Sequence, residues 1–419
     1  MSSKIFCSSE IAPLKRVLVH RPDAGIARVS PRHAEELLFD DIVYLPQMQE
    51  EHDIFVKVLE AFLGKDNVLE MSDLLFEALE NDSDVKEEML ELITRYEEVS
   101  KDQREALNKL SNKELTEVLI TGYHQKGDFI YFDPIPNFIF TRDIAVTVND
   151  HVIVTRASKE ARFRENFLTR FVFWAHPIFA KIRKAGKIIN LNHVDDFPPS
   201  RKGEVVSIEG GDVMIINEDY LLIGCSERTN AHSIHSLKEK LFEKGVVKNV
   251  VQINIPNERS CMHIDTIFTQ INKNHIVAYK PIVVDGLSSY VEVHRHYGGT
   301  TTYSSIKEFF KNEINPEMEF ILAGNGESPY QEREQWTDGC NLVCLKPGIG
   351  LTYDRNPITE EAFKAAGYQV IHANEFLKKV KSKKINPSKL ENTIITLPSN
   401  ELSRARGGSH CMTCPIERE

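Results

Sequence analysis

Val213-Met214-Ile215-Ile216-Asn217-Glu218-Asp219-Tyr220-Leu221-Leu222-Ile223 carries the pattern from which the architecture can be read. Two short aliphatic runs flank a polar Asn-Glu-Asp turn, the composition of a tight hairpin. A helical segment follows Asn230, and Val250-Val251-Gln252-Ile253 reads as a third strand. The order is therefore strand, strand, helix, strand.

The same order recurs on both sides. Upstream, Ile144-Ala145-Val146-Thr147-Val148 turns at Asn149-Asp150 into Val152-Ile153-Val154-Thr155; a helix from about Ser158 and the run Lys187-Ile188-Ile189 follow. Downstream, Thr266-Ile267-Phe268-Thr269-Gln270-Ile271 turns at Asn272-Lys273-Asn274 into Ile276-Val277-Ala278-Tyr279; a helix near residues 305–311 and Phe320-Ile321-Leu322 follow. A further copy runs from Leu342-Val343-Cys344-Leu345 through Pro347-Gly348 to Leu351-Thr352-Tyr353, a helix after Thr359, and Tyr368-Gln369-Val370-Ile371. A partial fifth copy holds Val17-Leu18-Val19-His20, a helix near residues 47–62, and Val68-Leu69-Glu70. Its missing strand is expected to be Thr393-Ile394-Ile395-Thr396-Leu397. Five ββαβ units would close a ring; the plainer alternative is a mixed α/β domain with hairpins.

Residues 65–121 stand apart, because they contain neither Gly nor Pro. Leu74, Leu75, Phe76 and Leu79, then Met89, Leu90, Leu92 and Ile93, then Leu107, Leu110, Leu115, Val118 and Leu119 recur at helical spacing. Asn81-Asp82-Ser83-Asp84 breaks the run, and Ser100 and Ser111 are candidate N-caps. A small bundle of three to five helices is expected.

Composition bounds the rest. A chain of 419 residues with 41% hydrophobic residues can bury a sizeable core. No window approaches the roughly 18 apolar residues of a spanning helix, and Met1-Ser2-Ser3-Lys4-Ile5-Phe6-Cys7 lacks a signal peptide's apolar run. Cytoplasm is the expected location. Seven scattered cysteines argue against a disulfide framework. A net charge of -11 argues against nucleic-acid binding. Residues 65–121 carry 16 acidic and 7 basic residues, so most of that charge sits on the helical segment.

The polar residues that could do chemistry each lie just before the first strand of a unit. They are Asp143, Glu209-Gly210-Gly211-Asp212, His263-Ile264-Asp265 and Asp338-Gly339-Cys340-Asn341; Arg406-Gly407-Gly408-Ser409-His410-Cys411 follows the last strand. Around a common axis these segments would converge on one pocket. Clustered carboxylates raise one another's pKa unless a cation sits between them. A guanidinium is the natural cation, because it takes bidentate carboxylate bonds. A Cys near it is favoured as thiolate, the nucleophilic form, and a His can move protons. Each piece also has a plain reading. Asp143 beside Arg142 could be a surface ion pair, and the Gly-Gly pairs could be simple turns. Glu209, His263 and Asp265 could form a metal site, although no His-Glu-x-x-His spacing supports one. Cys411-Met412-Thr413-Cys414 lacks the second Cys pair of a zinc site.

Taken together the motifs resemble arginine deiminase. The matching segments are residues 137–143, 209–212, Cys225-Ser226-Glu227-Arg228-Thr229, Met262-His263-Ile264-Asp265-Thr266, residues 406–412, the opening residues 9–22, and Leu37-Leu38-Phe39-Asp40-Asp41. They run in order through nearly the whole chain. The resemblance implies a five-bladed α/β propeller of ββαβ units (residues 1–70 and 122–419) with an inserted helical bundle (residues 71–121). It implies hydrolysis of L-arginine to L-citrulline and ammonia through a covalent amidino-thioether, without metal or organic cofactor. By resemblance Cys411 is the nucleophile and His263 the proton carrier. Glu209 orients His263, and Asp143 and Asp265 hold the guanidinium. Asn137, Arg162 and Arg228 match carboxylate-gripping positions, Phe140 flanks the alkyl stem, and Arg406 lies on the loop before the nucleophile. Arg164 competes with Arg162 for its role, and the role of Cys340 stays open. L-arginine and water are the expected reactants, with no nucleic-acid or membrane partner and a homo-oligomeric assembly. An amidinotransferase, a deiminase of another guanidine, a metal hydrolase and an inactive arginine-binding protein are the alternatives.

Overall fold

A computed structural model describes residues 4–39 and 41–419; Met1-Ser2-Ser3 and Asp40, the latter part of the residue 37–41 motif, lie outside the described residues. Five sheets share one pairing rule: a first strand antiparallel to a second, and a third parallel to the second. Ala145–Val148, His151–Val154 and Ile188–Asn190 form one such sheet. Val213–Asn217, Tyr220–Cys225 and Asn249–Asn254 form the next. Phe268–Gln270, His275–Ala278 and Glu319–Leu322 form another. Val343–Lys346, Ile349–Tyr353 and Thr393–Leu397 begin the fourth, and Cys414–Arg418, Leu14–Val19 and Val68–Glu70 the fifth. Helices such as Phe163–Ala175 and Ala231–Glu243 lie between the second and third strands of their units. A crossover connection of this kind is what parallel pairing requires.

The sequence assignment of one strand is corrected here. Thr393–Leu397 does not complete the N-terminal unit; it lies between Ile349–Tyr353 and Gln369–His372, parallel to both. All five of its residues are buried, as suits a central strand. The N-terminal unit is completed instead by Cys414–Arg418, whose Pro415, Glu417 and Arg418 disguise it as a polar tail. A further hairpin, Tyr290–Arg295 with Thr300–Tyr303, widens the sheet of Val213–Asn217 to five strands.

The Gly- and Pro-free segment forms four helices: Met71–Asn81, Ser83–Tyr96, Lys101–Asn108 and Asn112–Thr121. Asp82 caps the second, at the break that the sequence predicts. Ser100 with Gln103, and Ser111 with Glu114, form reciprocal capping boxes. Leu74, Leu75, Ile93, Leu115 and Leu119 join one core cluster with Leu168 and Val172 of Phe163–Ala175 and with Val152 of the sheet below. The helices therefore cannot bury their apolar faces without the α/β part. Phe76 departs from the expected core and is partly exposed. No helix among the described residues is long and apolar enough to cross a membrane.

Candidate active site

Short helical turns lead into the first strands and carry the polar motifs: Thr141–Asp143, Gly210–Asp212 and Ile264–Thr266. They converge as the repeat predicts. Asn137, Phe140, Asp143, Arg162, Glu209, Arg228, His263, Arg406 and Cys411 line one cavity. Asp265 stands directly behind it, its Oδ2 accepting from Cys411 Sγ at 3.4 Å. Each residue to which the resemblance assigns a role is thus brought together, and all are buried.

His263 is gripped from two sides. Its Nε2 is 2.9 Å from Glu209 Oε2, and its Nδ1 is 3.9 Å from Asp143 Oδ1. Burial opposes the imidazolium, but the Asp143 charge and the Glu209 hydrogen bond outweigh it and raise the pKa to about 10. Burial acts on Glu209 in the opposite sense; the His263 bond and the Arg162 charge overcome it and hold Glu209 well below the usual carboxylate range. Gly211 makes this packing possible. A Cβ there would lie 2.5 Å from His263 Nδ1, and its N–H donates to Asp143 Oδ1 at 3.1 Å.

The nucleophile candidate is held differently. Burial, and then the Asp265 and Asp143 carboxylates, push the Cys411 thiol well above its ordinary pKa. Its resting form is the thiol, donating to Asp265. A cationic ligand between these carboxylates would reverse the electrostatic part of that shift.

Of the two arginines left open by the sequence, Arg162 is the one that lines the cavity. Its Nη1 donates to Asp143 Oδ2 at 2.7 Å and to Glu209 Oε2 at 3.4 Å, and its Nε and Nη2 donate to Glu165 Oε2 at 3.0 and 2.8 Å. Arg164 points away and donates to the Leu119 carbonyl at 2.9 Å and to the Glu97 carboxylate, tying down the helical segment. Arg228 lies 3.9 Å from Glu209 Oε1. Asn137 donates to the Leu37 carbonyl at 2.7 Å, and Arg406 stacks on Trp336 with its guanidinium carbon 3.4 Å from the ring centroid. Asp143, Glu209 and His263 also present ligand atoms within 4.8 Å of one another, a spacing that could hold a metal ion. The Arg162 guanidinium already lies against two of the three.

Several site residues carried no assigned role in the sequence. Arg142 is no surface ion pair of Asp143; it is buried and donates two bonds to Glu10, at 3.2 and 3.3 Å. Glu10 Oε2 is in turn 3.2 Å from His410 Nε2, and His410 Nδ1 is 2.9 Å from Asp265 Oδ2. An Arg142–Glu10–His410–Asp265 chain thus supports the floor of the site. Glu10 lies in the opening motif and His410 beside Cys411, which was the available signal. Cys340 is fully buried outside the cavity lining, and its carbonyl accepts from Thr269 at 2.7 Å.

The fold and this pocket define a mixed α/β protein with a buried, carboxylate-lined site that carries one thiol and one imidazole. Among solved structures, SxtG, an amidinotransferase from Microseira wollei, aligns over 99% of this chain and 97% of its own, with a TM-score of 0.55 at 13% identity. The N-terminal domain of ArgZ, a cyanobacterial arginine dihydrolase, aligns over 96% and 97%, with a TM-score of 0.51 at 14% identity. These likenesses establish shared fold. The family profile described as arginine deiminase matches residues 35–126 and 108–418. Arginine deiminases of Limosilactobacillus reuteri and Listeria monocytogenes serovar 1/2a are 33% and 31% identical over 100% of this chain and 99% of theirs. The chain belongs to the arginine deiminase family.

Proposed function

We propose that the protein hydrolyses the guanidinium group of free L-arginine to L-citrulline and ammonia through a thioether on Cys411. The observation that carries this reading is the buried placement of one thiol, one proton-rich imidazole and three carboxylates around a site that already holds a guanidinium, that of Arg162. Substrate would displace the Arg162 guanidinium from Asp143 and seat its own between Asp143 and Asp265, and Arg162 would swing to the substrate carboxylate beside Arg228 and Asn137. The substrate's positive charge lets the thiol proton pass to solvent, and the thiolate attacks the guanidinium carbon. His263, which carries a proton at neutral pH, gives it to the leaving nitrogen, and ammonia departs. Water then adds to the cationic amidino-thioether. Of the two protons released as citrulline forms, one restores His263 and the other leaves with ammonia as ammonium; the sulfur returns as thiolate and takes a proton back from solvent once citrulline has left, which restores the resting thiol.

Pairing the substrate carboxylate with buried arginines rejects agmatine and peptidyl-arginine, since an unpaired buried charge costs roughly 3–5 kcal/mol. The wider reading has the five units closing into a five-bladed propeller. Residues 71–121 form the inserted bundle, and the protein acts as a cytoplasmic homo-oligomer without cofactor or nucleic acid. What supports the ring is the pairing rule repeated in five sheets.

Purified protein incubated with arginine alone should release citrulline and ammonia in equal amounts, while agmatine and a peptidyl-arginine yield neither. Ammonia that appears only after an amine acceptor is added would make the protein an amidinotransferase. Activity lost in strong chelator and regained with a divalent ion would favour the metal reading of Asp143, Glu209 and His263.

A further inference from the structure

One fully buried amide faces the nucleophile and has no part in the reaction just described. Asn341 sits at the turn before Val343–Lys346, with no exposed surface. The Cys411 backbone N–H donates to Asn341 Oδ1 at 3.1 Å. This bond fixes the orientation of the amide, because only the oxygen can accept from an N–H. The two hydrogens of Nδ2 are then committed. One points to the Asp265 carbonyl at 3.1 Å, the other to Cys411 Sγ at 3.2 Å.

The loop is built to allow this approach. A Cβ on Gly408 would lie 2.7 Å from Asn341 Oδ1 and 2.6 Å from the Asn341 carbonyl. Ser409 Oγ accepts from the Val343 N–H at 3.1 Å, closing the same junction from the other side. The carboxylates around the sulfur all oppose a thiolate, and Asn341 Nδ2 is the side-chain N–H donor placed on it. A donor aimed at a charged acceptor is worth more than one aimed at a neutral acceptor, so its effect grows as the sulfur ionises.

We propose that Asn341 is a further catalytic residue: its amide aims Cys411 through the backbone and stabilises the thiolate through a direct N–H to sulfur bond. This rests on Cys411 being the nucleophile of the deiminase reaction. The bond strengthens when the proton leaves sulfur, persists during attack, and is available again when the thiolate is expelled.

The test reads the sulfur itself rather than turnover. The rate of Cys411 alkylation by iodoacetamide, followed by peptide mass spectrometry, is measured against pH in the wild type, Asn341→Ala and Asn341→Asp. Loss of a hydrogen bond to a charged group corresponds to a shift of about 1–2 pH units. The Asn341→Ala profile should move up by that amount, and Asn341→Asp further, since a carboxylate replaces the donor. Arginine kcat should fall in both, with KM changed less. Arginine binding in the Cys411→Ser, Asn341→Ala double variant checks that the pocket is intact. Should either variant fail to fold, the other carries the measurement. Profiles superimposed on the wild type, with kcat reduced, would overturn the proposal and leave Asn341 a structural tie. A shifted profile in a protein that makes no citrulline would sustain the thiolate contact while removing the deiminase reading.

Discussion

At the scale of single residues, the site combines chemistry that is local in sequence with support that is not. Cys411, His263, Glu209, Asp143 and Asp265 were legible because each lies in a short motif with its neighbours, and the repeat placed those motifs together. Glu10 was not, because its partner His410 is 400 positions away and no local pattern links them. Glu165, at the third position after Arg162, offered helical spacing but no sign that Arg162 turns inward. Two substitutions test this layer. Gly211→Ala would drive a methyl group against His263 Nδ1; an imidazole displaced by about 1 Å should cost on the order of 10²-fold in kcat, with arginine binding retained in an isothermal titration. Unchanged kcat would mean that His263 is not held where the proton transfer needs it. Glu10→Ala strands the buried charge of Arg142 and removes a partner of His410. It should lower stability by about 3–5 kcal/mol in urea unfolding, and a loss below about 1 kcal/mol would show that the chain under Asp265 is not structural.

At the scale of elements, hairpins and capped helices were legible because turn and cap chemistry is local. Ser100 and Ser111 cap where the sequence placed them, and Asp82 caps within the break expected at 81–84. The C-terminal strand was hidden because Pro415, Glu417 and Arg418 break the apolar pattern, although pairing partners on both sides hold it in place. The joint between the N-terminal sheet and the helical segment makes a titratable prediction. His20, at the end of Leu14–Val19, contacts Glu70 Oε1 at 2.8 Å and Asp23 Oδ2 at 3.2 Å, and Glu70 caps Met71–Asn81. Burial disfavours its charge, but the Asp23 and Glu70 bonds prevail and raise its pKa from 6.5 to about 10. A raised pKa favours folding fully below about 6.5 and progressively less as pH climbs through 10. The Tm deficit of His20→Gln should therefore be largest near pH 6 and shrink toward pH 10. A deficit constant across that range would remove the charged pair from the joint.

At the scale of the molecule, charge and chemistry are separated. Residues 65–121 hold 16 acidic and 7 basic residues of a chain whose net charge is -11, so the α/β part is nearly neutral overall. Recognition of a cation then depends on Asp143, Glu209 and Asp265 inside the pocket rather than on the outer field. Strong steering changes association rates by about 10–10³-fold and collapses with salt. Here kcat/KM for arginine should vary by less than about tenfold between low and high ionic strength; a steeper fall would assign a steering role to the helical segment. The proposed reaction turns on a covalent bond between Cys411 and the substrate carbon. Protein mixed with arginine, quenched in acid within the first turnovers and digested, should show the Cys411 peptide heavier by arginine less ammonia. The His263→Ala variant should alter how much of this adduct accumulates, and Cys411→Ser should lack it. Citrulline formed at full rate by Cys411→Ser, or an adduct on any other residue, would refute covalent catalysis by Cys411.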